Sequence, residues 1–215
     1  MEIFKGLKPE AVWGYFEEIC RIPRPSRKEE RMAAWLMDFA HKHGLEARQD
    51  EGGNVVIRKP AVKGREQAPG IVLQSHMDMV CEKNSDVKHN FDTDPILPYV
   101  DGEWVKAKGT TLGADDGIGM AAALAVLASK DIRHGAIECL FTVDEETGFT
   151  GAFALQPEFF EGKILLNLDS EDEGELFIGC AGGIDTVGRM PYEKTITPAH
   201  KFAVKIQVKG LLGGH

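Results

Sequence analysis

Three features of the sequence predict an α/β fold built on a mixed, mostly parallel sheet flanked by helices. Residues 71–75, 137–143 and 164–168 form apolar runs without polar alternation, the pattern of strands covered on both faces. Segments of helical periodicity precede and separate these runs, as a layered α/β sheet requires. Near the C-terminus the pattern switches to strict alternation, with Phe202, Val204, Ile206 and Val208 set against Ala203, Lys205, Gln207 and Lys209. A period of two marks a half-exposed antiparallel strand, the first strand of a second, α+β lid domain.

From the N-terminus, Val12, Trp13, Phe16 and Ile19 line one face of a helix running from Pro9 to Cys20, which Pro23 and Pro25 stop. Ser26, followed three residues later by Glu29, has the spacing of a capping box and predicts the start of a second helix. Met32, Leu36 and Phe39 form its apolar face, and Gly44 ends it. Short strands follow over 54–59 and 71–75. Within 99–107, Asp101-Gly102 has the chemistry of a two-residue hairpin turn. Residues 118–128 are nearly all apolar, which predicts a helix buried on most faces. The runs 137–143 and 164–168 complete the sheet as central strands. A boundary near 182–185 divides a first domain, residues 1–184, from the start of a second, residues 185–215.

Composition narrows the function. The 215 residues include 25 Lys and Arg against 34 Asp and Glu, a formal charge of −9, with no basic stripe. Nucleic acid and anionic membrane are therefore not expected partners. No apolar run approaches the roughly 18 residues of a spanning helix, and the first residues lack a basic-then-apolar signal. A soluble, cytoplasmic protein is expected. The four cysteines, Cys20, Cys81, Cys139 and Cys180, include no C-x-x-C pair, so they are read as small buried residues or reduced thiols.

The chemistry is concentrated at the ends of the predicted strands. His76 follows 71–75, Glu145 and Glu146 follow 137–143 with Asp144 between, and Asp169 follows 164–168. Ligands of open α/β sheets collect at these carboxyl ends. Asp115 precedes the apolar helix, at a junction that can face the same crevice. One imidazole with several carboxylates suits a divalent ion such as zinc, cobalt or manganese, and the lack of thiolates argues against a purely structural zinc. Asp78, two residues after His76, can orient its ring. Three adjacent acids ending a buried strand repel one another unless they share a cation or a proton, a strain associated with functional sites.

Each residue also has a plainer reading. His76 alone is an ordinary loop histidine, Asp115-Asp116 a helix N-cap, and the run from Asp169 to Glu175 a solvated acidic loop. Two rival motifs fail on their own terms. The acidic run places acids and Gly174 like the first half of a calcium loop, but Cys180 stands where a bidentate Glu is required. Gly117 to Ala122 matches G-x-G-x-x-A, yet no strand precedes it, and Asp115 and Asp116 would repel a pyrophosphate.

A wider set of segments resembles a known family, the aminoacyl-histidine dipeptidases (the peptidase D type) within the co-catalytic di-zinc exopeptidases. The likeness is carried by Ile22-Pro23-Arg24-Pro25-Ser26, by Leu73-Gln74-Ser75-His76-Met77-Asp78-Met79-Val80, by Thr110-Thr111-Leu112-Gly113-Ala114-Asp115 and by Gly179-Cys180-Ala181-Gly182-Gly183-Ile184-Asp185. The resemblance implies two divalent metal ions, with zinc first and cobalt or manganese as alternatives. His76 and Asp169 would bind one ion, Glu146 the other, and Asp115 both. Asp78 would orient His76, and Glu145 would act as general base. It further implies a cis peptide between Asp115 and Asp116, with Asp116 standing where Asn is expected. Small dipeptides, Xaa-His among them, would be the substrates, and the full-length protein would be a homodimer. A last His ligand and most of the lid would lie further along a longer chain, leaving these 215 residues weak in metal binding and activity. A non-catalytic fragment and another di-metal deacylase or aminopeptidase remain the alternative readings.

Overall fold

The computed structural model describes residues 3–170, 172, 174–180, 182–183 and 186–207, and its three long helices overlap the helical segments read from the sequence. Helix α1 (Glu10–Cys20) buries Phe16, Ile19 and Cys20. Helix α2 (Glu30–His43) buries Met32, Ala33, Leu36, Phe39 and Ala40. Gly44 ends α2 with φ 66°, a left-handed conformation that lets its N–H turn back to the carbonyls of the last turn. The start of α2 differs from expectation. It begins at Glu30, and Glu29 at the N-cap position makes no side-chain cap bond. Ser26 and Glu29 are drawn to partners elsewhere, so tertiary contacts override the local capping preference.

Strands β1 (Glu46–Gln49), β2 (Val55–Lys59), β3 (Ile71–His76), β6 (Ile137–Thr142) and β7 (Ile164–Asn167) form one sheet in the order β1-β2-β6-β3-β7. The pairings β1–β2 and β2–β6 are antiparallel, and β6–β3 and β3–β7 are parallel. Thr142 lies opposite His76 and Asn167 opposite Gln74, so three parallel strands end nearly level. Every residue of β6 is buried, as expected of a central strand, and this includes the charged Glu138 within its otherwise largely apolar run. Strand β7 does not behave as a covered central strand. It lies at the sheet edge, paired only to β3, and Ile164, Leu165 and Leu166 are 45%, 49% and 41% exposed. An apolar run reports what a strand can bury, and edge position decides what it does bury.

Helix α3 (Ala114–Ala128) buries Met120, Ala121, Ala123, Leu124 and Leu127 between α1 and the sheet. Its range opens before the apolar run, but Asp115 and Asp116 interrupt the helical backbone with φ/ψ of −78°/114° and −101°/35°, so the regular helix begins only after them. The three long helices share one core with Val55, Ile57, Leu73 and Phe141. The opposite face, Val56, Val72 and Leu140, is covered by Phe159 with Leu155 and Phe160. Short helices α4 (Glu145–Gly148) and α5 (Thr150–Ala154) follow β6. A separate hairpin, β4 (Pro98–Asp101) with β5 (Trp104–Ala107), turns at Gly102-Glu103, one residue later than predicted. Gly102 supplies the positive φ of 63° that this turn needs.

The chain divides into two compact units, Met1–Glu173 and Gly174–His215. Residues 184 and 185, where the sequence placed its boundary, lie outside the described set. In the second unit the alternating segment forms no strand over 202–207, and Phe202, Val204 and Ile206 are exposed. Alternation prepares a strand, but a strand exists only by pairing, and no described residue of that unit pairs with it. Val208 and Lys209 lie outside the described residues. All four cysteines are free; Cys20 and Cys139 are buried, Cys81 is partly buried, and Cys180 is an exposed thiol.

Candidate metal centre

Strand β3 delivers His76 to the carboxyl end of the sheet, where the side chain is fully buried. Its Nε2 lies 2.8 Å from Asp115 Oδ1, 3.8 Å from Asp169 Oδ2 and 4.0 Å from Glu145 Oε2. On the other side of the ring, Nδ1 faces Asp78 Oδ1 at 3.2 Å. Two overlapping groups result, His76 with Asp115 and Glu146 and His76 with Glu145 and Asp169, each with its ligating atoms within 4.8 Å of one another. All the residues singled out in the sequence as ligands, and Glu145 with them, therefore converge on one imidazole. The donor set fits divalent cations, being nitrogen and carboxylate oxygen without thiolate.

The protonation preferences fit the same reading. Burial, reinforced by Asp115 and Glu145, pushes Asp169 up to about 6. Burial, with Asp115 next, also raises Glu146. Burial alone would lower His76, but hydrogen bonds to Asp78 and Asp115 overcome it and hold the ring at about 9. Burial and crowding thus make these acids hold protons more tightly, an effect that a nearby cation would oppose.

Asp78 organises the cluster from beneath. Its Oδ1 accepts the Glu145 N–H at 3.0 Å, and its Oδ2 accepts the Ser26 hydroxyl at 2.7 Å and the Glu146 N–H at 3.2 Å. Burial would raise this carboxyl, yet the hydrogen bonds from His76, Ser26 and Glu145 keep it at about 2. One ionised carboxylate thus fixes both the histidine ring and the turn that bears the two glutamates.

Asp115 and Asp116 divide their work. Asp115 turns to His76, and the Asp115–Asp116 peptide is cis. Asp116 is buried. Its Oδ2 accepts the His76 N–H at 3.2 Å, and its Oδ1 accepts the Gly119 N–H at 3.1 Å. The bond to Gly119 is a cap for the regular part of α3, so the N-cap reading holds for Asp116 and not for Asp115. Burial, with Asp169 next, pushes Asp116 up to about 7. A side chain at Gly119 would collide with the Asp116 carboxylate and with Leu168, which accounts for glycine there.

Sequence reasoning missed the residues that hold these loops together. Arg24 is buried and donates from Nη1 to Met77 O at 2.9 Å and Asp78 O at 2.6 Å, and from Nη2 to Gly113 O. It thereby ties the His76 loop to the start of α3. Asp144, first of the three adjacent acids, belongs to neither metal-holding group. At φ 52° it gives its N–H to Glu29 Oε1 at 2.9 Å, while its carboxylate accepts Thr150 Oγ1 at 2.6 Å, Thr147 Oγ1 and Arg27 Nε at 3.3 Å. Asn54 joins the same turn, taking the Val143 N–H at 3.2 Å and giving its own to Gly151 O at 2.9 Å. The available signal was the Ser26/Glu29 spacing, which local rules assign to a helix cap.

The chain is similar to known proteins. Residues 72–197 match the family described as Peptidase family M20/M25/M40. Cytosol non-specific dipeptidase of Escherichia coli (strain K12) is 50% identical over all 215 residues, 100% of this chain and 44% of that one. The crystal structure of aminoacylhistidine dipeptidase from Vibrio alginolyticus matches with a TM-score of 0.77 at 57% identity, over 79% of this chain and 34% of that one. A tripeptidase from Staphylococcus aureus matches with a TM-score of 0.65 at 26% identity, over 76% of this chain and 44% of that one. The chain spans less than half the length of these relatives.

Proposed function

Because the chain belongs to peptidase family M20/M25/M40, we propose that it supplies the metal-holding part of a dipeptidase, one that hydrolyses small dipeptides including Xaa-His. The observation that carries this reading is the convergence of Asp115, Glu145, Glu146 and Asp169 on the His76 ring. His76 and Asp169 would hold one divalent ion, Glu146 the other, and Asp115 both, with zinc the leading candidate and cobalt or manganese next. Such ions supply Lewis acidity, polarising the scissile carbonyl and making water acidic near neutral pH.

The chain's own groups do the rest. Glu145, at the first position of α4, takes the proton from the attacking water and returns it to the departing amine. Asp78 keeps the His76 ring and the Glu145 N–H in fixed relation, so the base does not have to be oriented during the reaction. Asp116 holds the His76 backbone and leaves Asp115 free to face the ions. The names of the Escherichia coli and Vibrio alginolyticus relatives support the substrate class. We also propose a cytoplasmic homodimer, with 185–215 opening a lid domain. Among the described residues, no helix is long and apolar enough to cross a membrane.

The decisive experiment is a dipeptidase assay of the full-length protein carrying Glu145→Ala. A loss of about 100-fold or more in kcat is expected of a general base. Activity within about tenfold of wild type, below the usual contribution of such a group, would refute the assignment.

A further inference from the structure

The capping-box spacing at Ser26 and Glu29 serves neither end of α2, and the partners these residues take instead lie around the candidate metal centre. The Ser26 hydroxyl donates to Asp78 Oδ2 at 2.7 Å. Glu29 is buried, and its Oε1 accepts the N–H of Arg27 at 3.0 Å and of Asp144 at 2.9 Å. Immediately before them, Pro25 pairs with Met79 in an isolated parallel bridge, and Arg24 grips the carbonyls of Met77 and Asp78. One short segment thus touches the loop after β3 and the turn after β6 at the same time. These are the two loops that present His76 and the pair Glu145–Glu146.

From this we infer that Ser26 and Glu29 are positioning residues: segment 24–29 braces the His76–Asp78 loop against the Asp144–Glu146 turn and sets the spacing of the metal-holding groups. The inference rests on the proposed function. Its physical basis is the short lever between each brace contact and a reactive group. Asp78, held by Ser26, also faces His76 Nδ1 and accepts both glutamate N–H groups. Asp144, held by Glu29, immediately precedes Glu145 and adopts a left-handed φ of 52°. Without the Glu29 acceptor that N–H is left buried and unpaired, and the turn has reason to relax. Without the Ser26 hydroxyl, Asp78 keeps its backbone donors but loses the contact that fixes its Oδ2 from the other side.

The test uses the full-length protein with Ser26→Ala, Ser26→Thr, Glu29→Ala and Glu29→Gln, measuring zinc affinity by calorimetry together with kcat and KM on a dipeptide. Ser26→Ala is expected to weaken zinc binding by about 10- to 100-fold, the range for partners that orient ligands, and Ser26→Thr to restore it. Glu29→Ala is expected to lower kcat with little change in KM, and Glu29→Gln, which keeps an acceptor oxygen, to recover most of the loss. Should Glu29→Ala fail to fold, the Ser26 pair decides alone. The brace is overturned if the alanine variants lose thermal stability while zinc affinity and kcat stay within about threefold of wild type, well short of the range for an orienting partner. That result would leave the dipeptidase reading standing if Glu145→Ala remained inactive. A wild-type protein that takes up none of zinc, cobalt and manganese would bring down both.

Discussion

Strand β6 carries charge at both ends, and the two ends are built on opposite principles. At its start Glu138 is buried, with Oε1 2.9 Å from Arg58 Nε and Oε2 accepting the N–H groups of Glu161 and Gly162 at 2.7 and 2.6 Å. The buried carboxylate there meets a guanidinium and two backbone donors, and the other acids beside Arg58, Glu46 and Glu161, are exposed to solvent. At its end, partly buried carboxylates crowd one buried imidazole. Asp115, Asp169 and, at the limit of ion-pair distance, Glu145 share the imidazole of His76. A buried charge with built-in partners marks structure. A group of acids around one weak base marks a place for a cation brought from outside.

Removing the shared ligand tests the contrast at its strongest. His76→Ala is expected to abolish zinc uptake, seen as the loss of any metal-dependent rise in thermal midpoint, along with dipeptidase activity. A variant that still gained stability from zinc would show that the acids bind it without the imidazole. At the other end of the strand, Glu138→Ala breaks a buried pair and is expected to cost about 3 kcal/mol, or roughly 6 to 12 °C in midpoint. Zinc affinity of the folded fraction should not change, and calorimetry that found it weakened would erase the distinction between the two ends. The smallest effect is read at the cysteines. Burial pushes Cys20 up to about 12 and Cys139, beside Glu138, higher still, so both are poor nucleophiles near neutral pH. Native protein should react with a thiol reagent first at exposed Cys180. His76→Ala should leave Cys139 protected, whereas Glu138→Ala should expose it in proportion to unfolding; mass spectrometry of labelled peptides would tell.

Local signals made much of this legible. Helices α1 and α2, strands β2, β3 and β6 and the hairpin followed from periodicity and turn chemistry, because each pattern reflects a face that must be buried. That His76, Asp115, Glu146 and Asp169 come together was legible too, from their shared place at strand ends and a helix start, whereas the structural role of Asp144 beside them was not. What escaped was anything decided by partners distant in sequence. Ser26 and Glu29 read as a cap because the rule sees only neighbours, whereas their competitors, Asp78 and Asp144, lie 52 and 115 residues away. Strand β7 read as central because apolar content does not encode which side of a sheet is already occupied. Residues 202–207 alternate as a strand should, yet among the described residues of their unit no partner turns that alternation into hydrogen bonds.

Arg24 gives the candidate centre one last property. A single guanidinium joins carbonyls at Met77, Asp78 and Gly113, so the stretches bearing His76 and Asp115 are stitched together by the protein alone. The loops need not be gathered by an arriving ion, and the entropy of ordering them is met when the chain folds. Affinity at such a centre then depends on charge and fit, with little lost to rearrangement.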